Sequence, residues 1–241
     1  MSKSYTTGLI AFLDILGFSN YIEKTKSASE VEEVFEFVEK ICYLYNSSEI
    51  NGIKIAFFSD SFILTTEEIT SSSITSLVTA CHLINISLFK ATQLFTRGAM
   101  CVGEFYHKDN IAFGPGIIEA YREQENNAKY IRLILGNSLI EVLNDKKIYN
   151  PFIDKDINGT YYCNYYLLDI TDAYRTETFN FEEAVQIMEK NRNIIIENLE
   201  KYQNTKVYEK YEWLIYPFNK CCEVLSHDPN ISMNFMNFQI K

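Results

Sequence analysis

The sequence predicts an α+β fold, with a β-α-β-β-α-β core over residues 1–143 and a C-terminal strand and helix appendage over residues 144–241. Three observations lead there. An apolar run, Leu9 to Leu13, leads straight into Asp14 and a turn at Gly17. A second pair of apolar runs, Ile53 to Phe58 and Phe62 to Leu64, brackets Ser59-Asp60-Ser61. Between and after these runs stand segments whose apolar residues recur at helical spacing.

The first strand is expected at about residues 8–14, because a continuous apolar run closed by a turn fits a strand buried on both faces. A helix follows at about 30–46. Ser29 with Glu32 is a capping-box pattern, and Val31, Val34, Phe35, Val38, Ile41, Cys42 and Tyr45 form one apolar stripe. Asn51-Gly52 signals a turn into a hairpin at 53–65 with one acid at its tip. Ser71-Ser72-Ser73 opens a second helix to about residue 93, with the stripe Ile74, Leu77, Cys81, Ile84 and Leu88 and His82 as a core histidine. A strand from Thr96 to Phe105 turns at His107-Lys108-Asp109-Asn110 into a partner at 110–113. Gly114-Pro115-Gly116 introduces a third helix through about Asn127, then Ile131 to Leu135 reads as a strand and Ser138 to Leu143 as a short helix. This order is the ferredoxin-like or palm arrangement.

Residues 144–160, rich in Asn, Asp, Lys, Gly and Pro, mark an exposed boundary. Tyr161 to Leu168 reads as an aromatic strand. Asn180, with Glu183 three residues on, caps a helix to about Tyr202. A last helix runs from about Val207 to Leu225, carrying Tyr211, Leu214, Ile215 and Phe218, with Trp213 as a core anchor. This half is expected to pack on the core or to act as a lid over a dimer interface.

The chain has 241 residues, is 47% hydrophobic and holds 17 Tyr and 17 Phe, enough for a substantial core. Its net charge of −10 argues against nucleic acid and anionic membrane as partners, since both need basic surface. None of the six Cys has zinc-site spacing, which fits free thiols in a reducing cytoplasm. The N-terminus has no apolar signal core and no run approaches a membrane span, so a cytoplasmic location is expected.

An ionised carboxylate at the end of a buried strand is costly unless a cation meets it, and this applies to Asp14. Asp60 stands at the end of another core strand. The two acids can share divalent cations, or they can be two turn acids with no common site. Leu16, Gly17, Phe18 and Ser19 can offer backbone amides to a phosphate, or form a plain strand-to-helix turn. Gly114-Pro115-Gly116 is not a dinucleotide fingerprint, because Glu119 holds the third glycine position. Arg122, two turns into its helix, can reach a phosphate or pair with Glu119 or Glu125. Arg97 and Arg132, at strand edges, can each contact phosphate or hold a carboxylate.

Three motifs carry a resemblance. Phe12-x-Asp14-Ile15-x-Gly17-Phe18-Ser19 resembles the first metal motif of class III nucleotidyl cyclases, and Phe58-Ser59-Asp60-Ser61 their second, where Gly-Asp is commoner. Phe113 to Arg122, with Gly114-Pro115-Gly116, is similar to their third, which ends in a catalytic Arg. The wording of all three, with Arg97-Gly98-Ala99 and Lys210-x-x-Trp213-Leu214, is closest to the Pycsar pyrimidine cyclases of bacterial anti-phage systems. The resemblance implies two Mg²⁺ or Mn²⁺ ions per site, held by Asp14, Asp60 and the Ile15 carbonyl, with Arg122 catalytic. It implies a head-to-tail homodimer with sites at the interface, cyclisation of CTP or UTP, and a separate effector protein that reads the product. Substrate contacts would come from Leu16, Gly17, Phe18, Ser19, Arg97 and Arg132, and from the base-reading positions, here Ala56 and Ile111. The family's ribose-holding Asn is Ile118 in this chain, its base-reading Lys is Ala56, and its partner acid or Thr is Ile111. The usual purine readers are thus missing, which fits the pyrimidine branch. The alternative is a weak or inactive nucleotide-binding scaffold on the same fold.

Overall fold

The computed structural model describes residues 4–25, 27–47, 52–174, 179–228, 231 and 233–241. In chain order come β1 (Thr6–Ile15), α1 (Phe18–Lys24), α2 (Ala28–Ser47), β2 (Lys54–Phe58), β3 (Ser61–Thr66), α3 (Ser71–Thr92), β4 (Thr96–Lys108) and β5 (Ile111–Phe113). Then follow α4 (Pro115–Asn127), β6 (Leu133–Leu135), α5 (Asn137–Asp145), β7 (Ile153–Lys155), β8 (Tyr161–Cys163), α6 (Tyr165–Asp169), α7 (Phe181–Lys201), α8 (Tyr208–Glu212) and α9 (Ile215–His227). The chain divides into two units. One comprises Met1–Pro151 and Thr160–Cys163, the other Phe152–Gly159 and Asn164–Lys241.

The sheet of the first unit has the order β2-β3-β1-β4-β6-β8, with β5 folded back on β4. β1 is central. It pairs antiparallel with β3 from Leu9↔Thr66 to Asp14↔Ser61 and with β4 from Thr6↔Phe105 to Ile15↔Thr96. Leu9, Ala11, Leu13 and Ile15 point to one face and are buried, with α3 packed on β1 and β3. Ile10 points to the other face and joins Cys101, Phe105, Ile117 and Ala120 in a core beneath α4. With both faces covered, an alternating pattern would bury polar side chains, so β1 reads as an unbroken apolar run. α4 sits unusually close to the sheet. A Cβ on Gly116 would lie 2.5 Å from Ile10 Cδ1 and 2.9 Å from the Gly103 backbone. β4 and β6 are parallel, joined through α4, as a strand–helix–strand crossover requires.

The expectation that no run approaches a membrane span does not hold by length and composition. α3 has 22 residues and a window of mean hydropathy 1.4. Its Ile74, Leu77, Cys81, Ile84 and Leu88 are all buried, as is His82, so the apolar length serves the core. Thr70 and Ser73 cap it reciprocally.

In the second unit Asn180 caps α7 by accepting from the Glu183 amide at 3.2 Å. α9 buries Phe218, Cys221, Cys222 and Leu225. The six cysteines are free thiols, and burial pushes Cys101 and Cys222 up to about 12.

Several elements differ from expectation. α1 is entered by the turn at residues 16–19 and is separate from the helix expected at 30–46. α2 begins at Ala28, so Ser29 lies inside its first turn rather than before it. Ile41 of its stripe is buried and Val31 is exposed; the side chains of Val34, Phe35 and Tyr45, like residue Asn51, lie outside the described residues. β4 runs on to Lys108, and the turn is Asp109-Asn110, with Asp109 at φ 54°. The aromatic stretch from Tyr161 is a strand only to Cys163, because Asn164 accepts from the Tyr166 amide at 3.2 Å and starts α6. The helix expected from Val207 breaks into α8 and α9, with half-buried Trp213 between them. Pro217 has no N–H for the bond back to Trp213 and is tolerated only in a first turn, so the helix restarts just before it.

Candidate active site

The ends of β1, β2 and β3 bring the two acids of interest together. Asp14 is the last β1 residue paired to both neighbours, opposite Ser61 on one side and Arg97 on the other. Asp60 is the second of the two residues that turn β2 into β3. The Ile15 amide donates to the Asp60 carbonyl at 2.8 Å. Asp14 and Asp60 therefore sit on neighbouring strands one register step apart, at the same end of the sheet. Ser61 Oγ donates to Asp60 Oδ1 at 3.3 Å.

The turn has an unusual first residue. Ser59 has φ 59°, and Asp60 is not in the left-handed region. Positive φ at the first central residue alone is the pattern of a type II′ hairpin, whose first position favours glycine. This accounts for the Gly-Asp wording of the motif that Phe58 to Ser61 resembles.

The cation that meets Asp14 within the chain is Arg97. Its Nε donates to Asp14 Oδ2 at 2.8 Å, and its Nη1 donates to the Ala128 carbonyl at 3.3 Å, just past α4. Of the two roles open to Arg97 in the sequence, it has the carboxylate. Arg132 is buried, with its Nη2 donating to the Asn127 carbonyl at 3.4 Å and its guanidinium over the Tyr130 ring at 5.3 Å. It is not presented to solvent at a strand edge.

The turn after β1 depends on Gly17, which has φ 80°. One expectation changes here. The Leu16 amide donates to the Phe95 carbonyl at 2.9 Å, so it belongs to the sheet and is not available to a phosphate. Gly17 precedes α1, and Phe18 and Ser19 open it without a side-chain cap. Amides in a helix's first turn lack intrahelical acceptors.

Ala56 is in the middle of β2, opposite Ile63, and is buried; Ile111 opens β5 and is 62% exposed. Neither offers a polar side chain to a base.

α4 carries Arg122. Its side chain is exposed and makes no ion pair or hydrogen bond among the described residues. Glu125, one of the two acids expected to pair with it, instead bonds the Tyr121 hydroxyl. Arg122 faces an open groove of about 340 Å³, lined also by Pro115, Glu119, Glu123, Asn126 and Asn127. Neither Asp14 nor Asp60 lines that groove. Tyr121 turns instead toward β1, with its ring edge-on to Phe12 at 5.4 Å. Glu125 and Asp14 push its phenol upward, Glu125 more strongly. Sequence reasoning missed Tyr121, although it stands directly before Arg122.

Two carboxylates and a backbone carbonyl are hard oxygen donors of the type Mg²⁺ and Mn²⁺ take, and such ions draw their remaining ligands from water and phosphate. The carbonyl of a strand residue points the same way as its amide, so Ile15 O faces the Asp60 turn. The donor set therefore fits a divalent cation that keeps open positions for other oxygen ligands. Among the described residues no cluster of three or more His, Cys, Asp or Glu offers a complete protein cage.

No family model matches the sequence, and no curated protein does. Solved structures do. The adenylyl cyclase CyaB from P. aeruginosa superposes with a TM-score of 0.51 at 12% identity, over 68% of this chain and 95% of that one. A dimeric guanylyl cyclase domain of the RhoGC fusion protein from the aquatic fungus Blastocladiella emersonii gives 0.48 at 11% identity, over 66% and 94%. The guanylate cyclase domain of RhGC from Catenaria anguillulae, in complex with GTP, gives 0.46 at 12%, over 67% and 98%. The likeness to the first shows the fold: the core is built as a class III cyclase domain is.

Proposed function

We propose that this chain is a nucleotidyl cyclase that converts CTP or UTP to the 3′,5′-cyclic monophosphate and pyrophosphate. The observation that carries the reading is the juxtaposition of Asp14 and Asp60 on adjacent strands, with Arg122 uncommitted on α4. A divalent ion pair bound there supplies Lewis acidity to the 3′-hydroxyl and to the triphosphate. Asp14, Asp60 and the Ile15 carbonyl would hold and orient that charge. The 3′-oxygen then attacks the α-phosphorus, its proton leaves to solvent, and the bond to the β-phosphate oxygen breaks to release pyrophosphate. Arg122 donates to the equatorial oxygens as charge builds on them. Gly17, Phe18 and Ser19 offer amides to the phosphates.

The Arg122 groove lacks both acids, so a complete site takes them from one copy and Arg122 from another. Phe58 is 82% exposed, and Ile111, Phe113, Ile118 and Tyr121 are also exposed, which supports a homodimer formed across this side of the sheet. Apolar Ala56 and Ile111 support a pyrimidine substrate, because a site without purine hydrogen bonds gives ATP and GTP no favoured contact. As in the systems the motifs resemble, the product would be a second messenger for anti-phage defence, read by a separate effector.

The test is incubation of the purified protein with each of four nucleoside triphosphates and Mn²⁺, with products identified by mass spectrometry. CTP or UTP should give the cyclic product, and Asp14→Asn and Asp60→Asn should abolish turnover while circular dichroism stays unchanged. Comparable kcat/KM for ATP and the pyrimidines sinks the pyrimidine assignment. No cyclic product from any triphosphate leaves a nucleotide-binding scaffold.

A further inference from the structure

We infer that Arg97 makes cation binding at Asp14 conditional on the nucleotide. The inference deepens the proposed function and rests on Asp14 and Asp60 as the cation-holding pair.

The contact is built into the sheet, since Arg97 is the register partner of Asp14 on β4. The two side chains are only 27% and 19% exposed, and Nε meets Oδ2 at 2.8 Å. The second bond, from Nη1 to the Ala128 carbonyl, holds the guanidinium from behind. Arg97 therefore cannot swing into solvent without giving up both partners. Its charge halves the negative charge that Asp14 and Asp60 present together. A divalent ion at Asp14 would also lie within about 5 Å of a fixed like charge, where repulsion is still several-fold above thermal energy at intermediate dielectric. A triphosphate changes both terms. It brings several negative charges of its own, and its oxygens give Arg97 a further acceptor besides Asp14 and the Ala128 carbonyl. The protein alone thus holds divalent ions weakly, and ion and nucleotide bind as a unit. Arg97 acts through Asp14 and is a positioning residue.

The experiment titrates the full chain with Mn²⁺ and counts bound ion by electron paramagnetic resonance, with and without 3′-deoxy-CTP, which lacks the attacking hydroxyl. Without nucleotide, Arg97→Gln should bind Mn²⁺ about tenfold or more tighter than wild type. Arg97→Lys, which keeps the charge, should stay near wild type. With 3′-deoxy-CTP the advantage of Arg97→Gln should shrink or reverse. Arg97→Met takes the place of the glutamine variant if that variant does not fold. If the neutral variant binds Mn²⁺ no tighter than wild type, or the lysine variant tightens as much as the neutral one, the inference is overturned. Asp60→Asn separates the two levels. If it weakens Mn²⁺ binding with nucleotide present, the cation pair stands whatever Arg97 does. If it changes nothing, the pair falls and the inference with it.

Discussion

A carboxylate ending a buried strand needs a partner, and for Asp14 that partner is a guanidinium from the neighbouring strand. Sequence reasoning identified the need and both residues, but not their pairing. Position 14 meets position 97 only through the β1–β4 register, which sequence spacing does not encode. The sequence singles out Asp60 and Arg122 because each stands in a short motif whose wording depends on its chemistry. Leu16 was misjudged because its amide is taken by Phe95, a contact that again depends on register. His107 carries the residue-scale prediction. It is buried, its Nδ1 lies 2.7 Å from Thr65 Oγ1, and its Nε2 has no hydrogen-bond partner among the described residues. Burial, and then the Lys54 ammonium, lower its pKa from 6.5 to about 4. A histidine held neutral in the fold contributes stability that is complete above the unfolded value. That stability is lost as pH falls from about 6.5 toward about 4. Denaturant unfolding across that range should show uptake of about one proton that His107→Gln lacks. An unchanged slope in the variant rules out His107 as the source.

Elements were legible where one periodicity ran uninterrupted. β1 and α3 are clear for this reason: one is apolar throughout because both its faces are covered, the other keeps a five-residue stripe on the sheet. Boundaries failed where a single residue outweighed the pattern. Asn164 ends an aromatic run by capping a helix, and Pro217 splits one expected helix into two. The β2–β3 turn shows the same rule in a form that can be tested. Ser59 occupies φ 59°, where a Cβ is disfavoured, in a turn whose first position suits glycine. Ser59→Gly removes that strain at some cost in unfolded-chain entropy, and should stabilise the protein by about 0.5–1 kcal/mol. The melting temperature should rise by about 2–4 °C or less. A lower melting temperature would mean that the serine side chain holds the turn by contacts stronger than the strain.

At the scale of the molecule, one copy presents its acids at the strand edge and its arginine in a groove that lacks them. The proposed two-fold assembly makes each site from both copies. Mixing Asp14→Asn chains with Arg122→Ala chains tests this directly. Random exchange makes about half the dimers mixed, each with one intact site, so activity should recover to roughly a quarter of wild type. Subunit exchange is verified first with differently tagged chains. If exchange occurs and no activity returns, Arg122 serves its own chain's site or none.

The two acids also differ in how they are held. Asp14 ends a strand clamped on both sides along its length, whereas Asp60 lies in a hairpin turn at the border of the sheet. They resemble the jaws of a caliper, one set in the frame and the other carried on the arm of a hairpin. In the proposed cation site, adjustment to a bulkier or smaller ion would fall to Asp60, and a change of metal preference over evolution would be most readily reached through the turn at Ser59 while the central strand stays as it is.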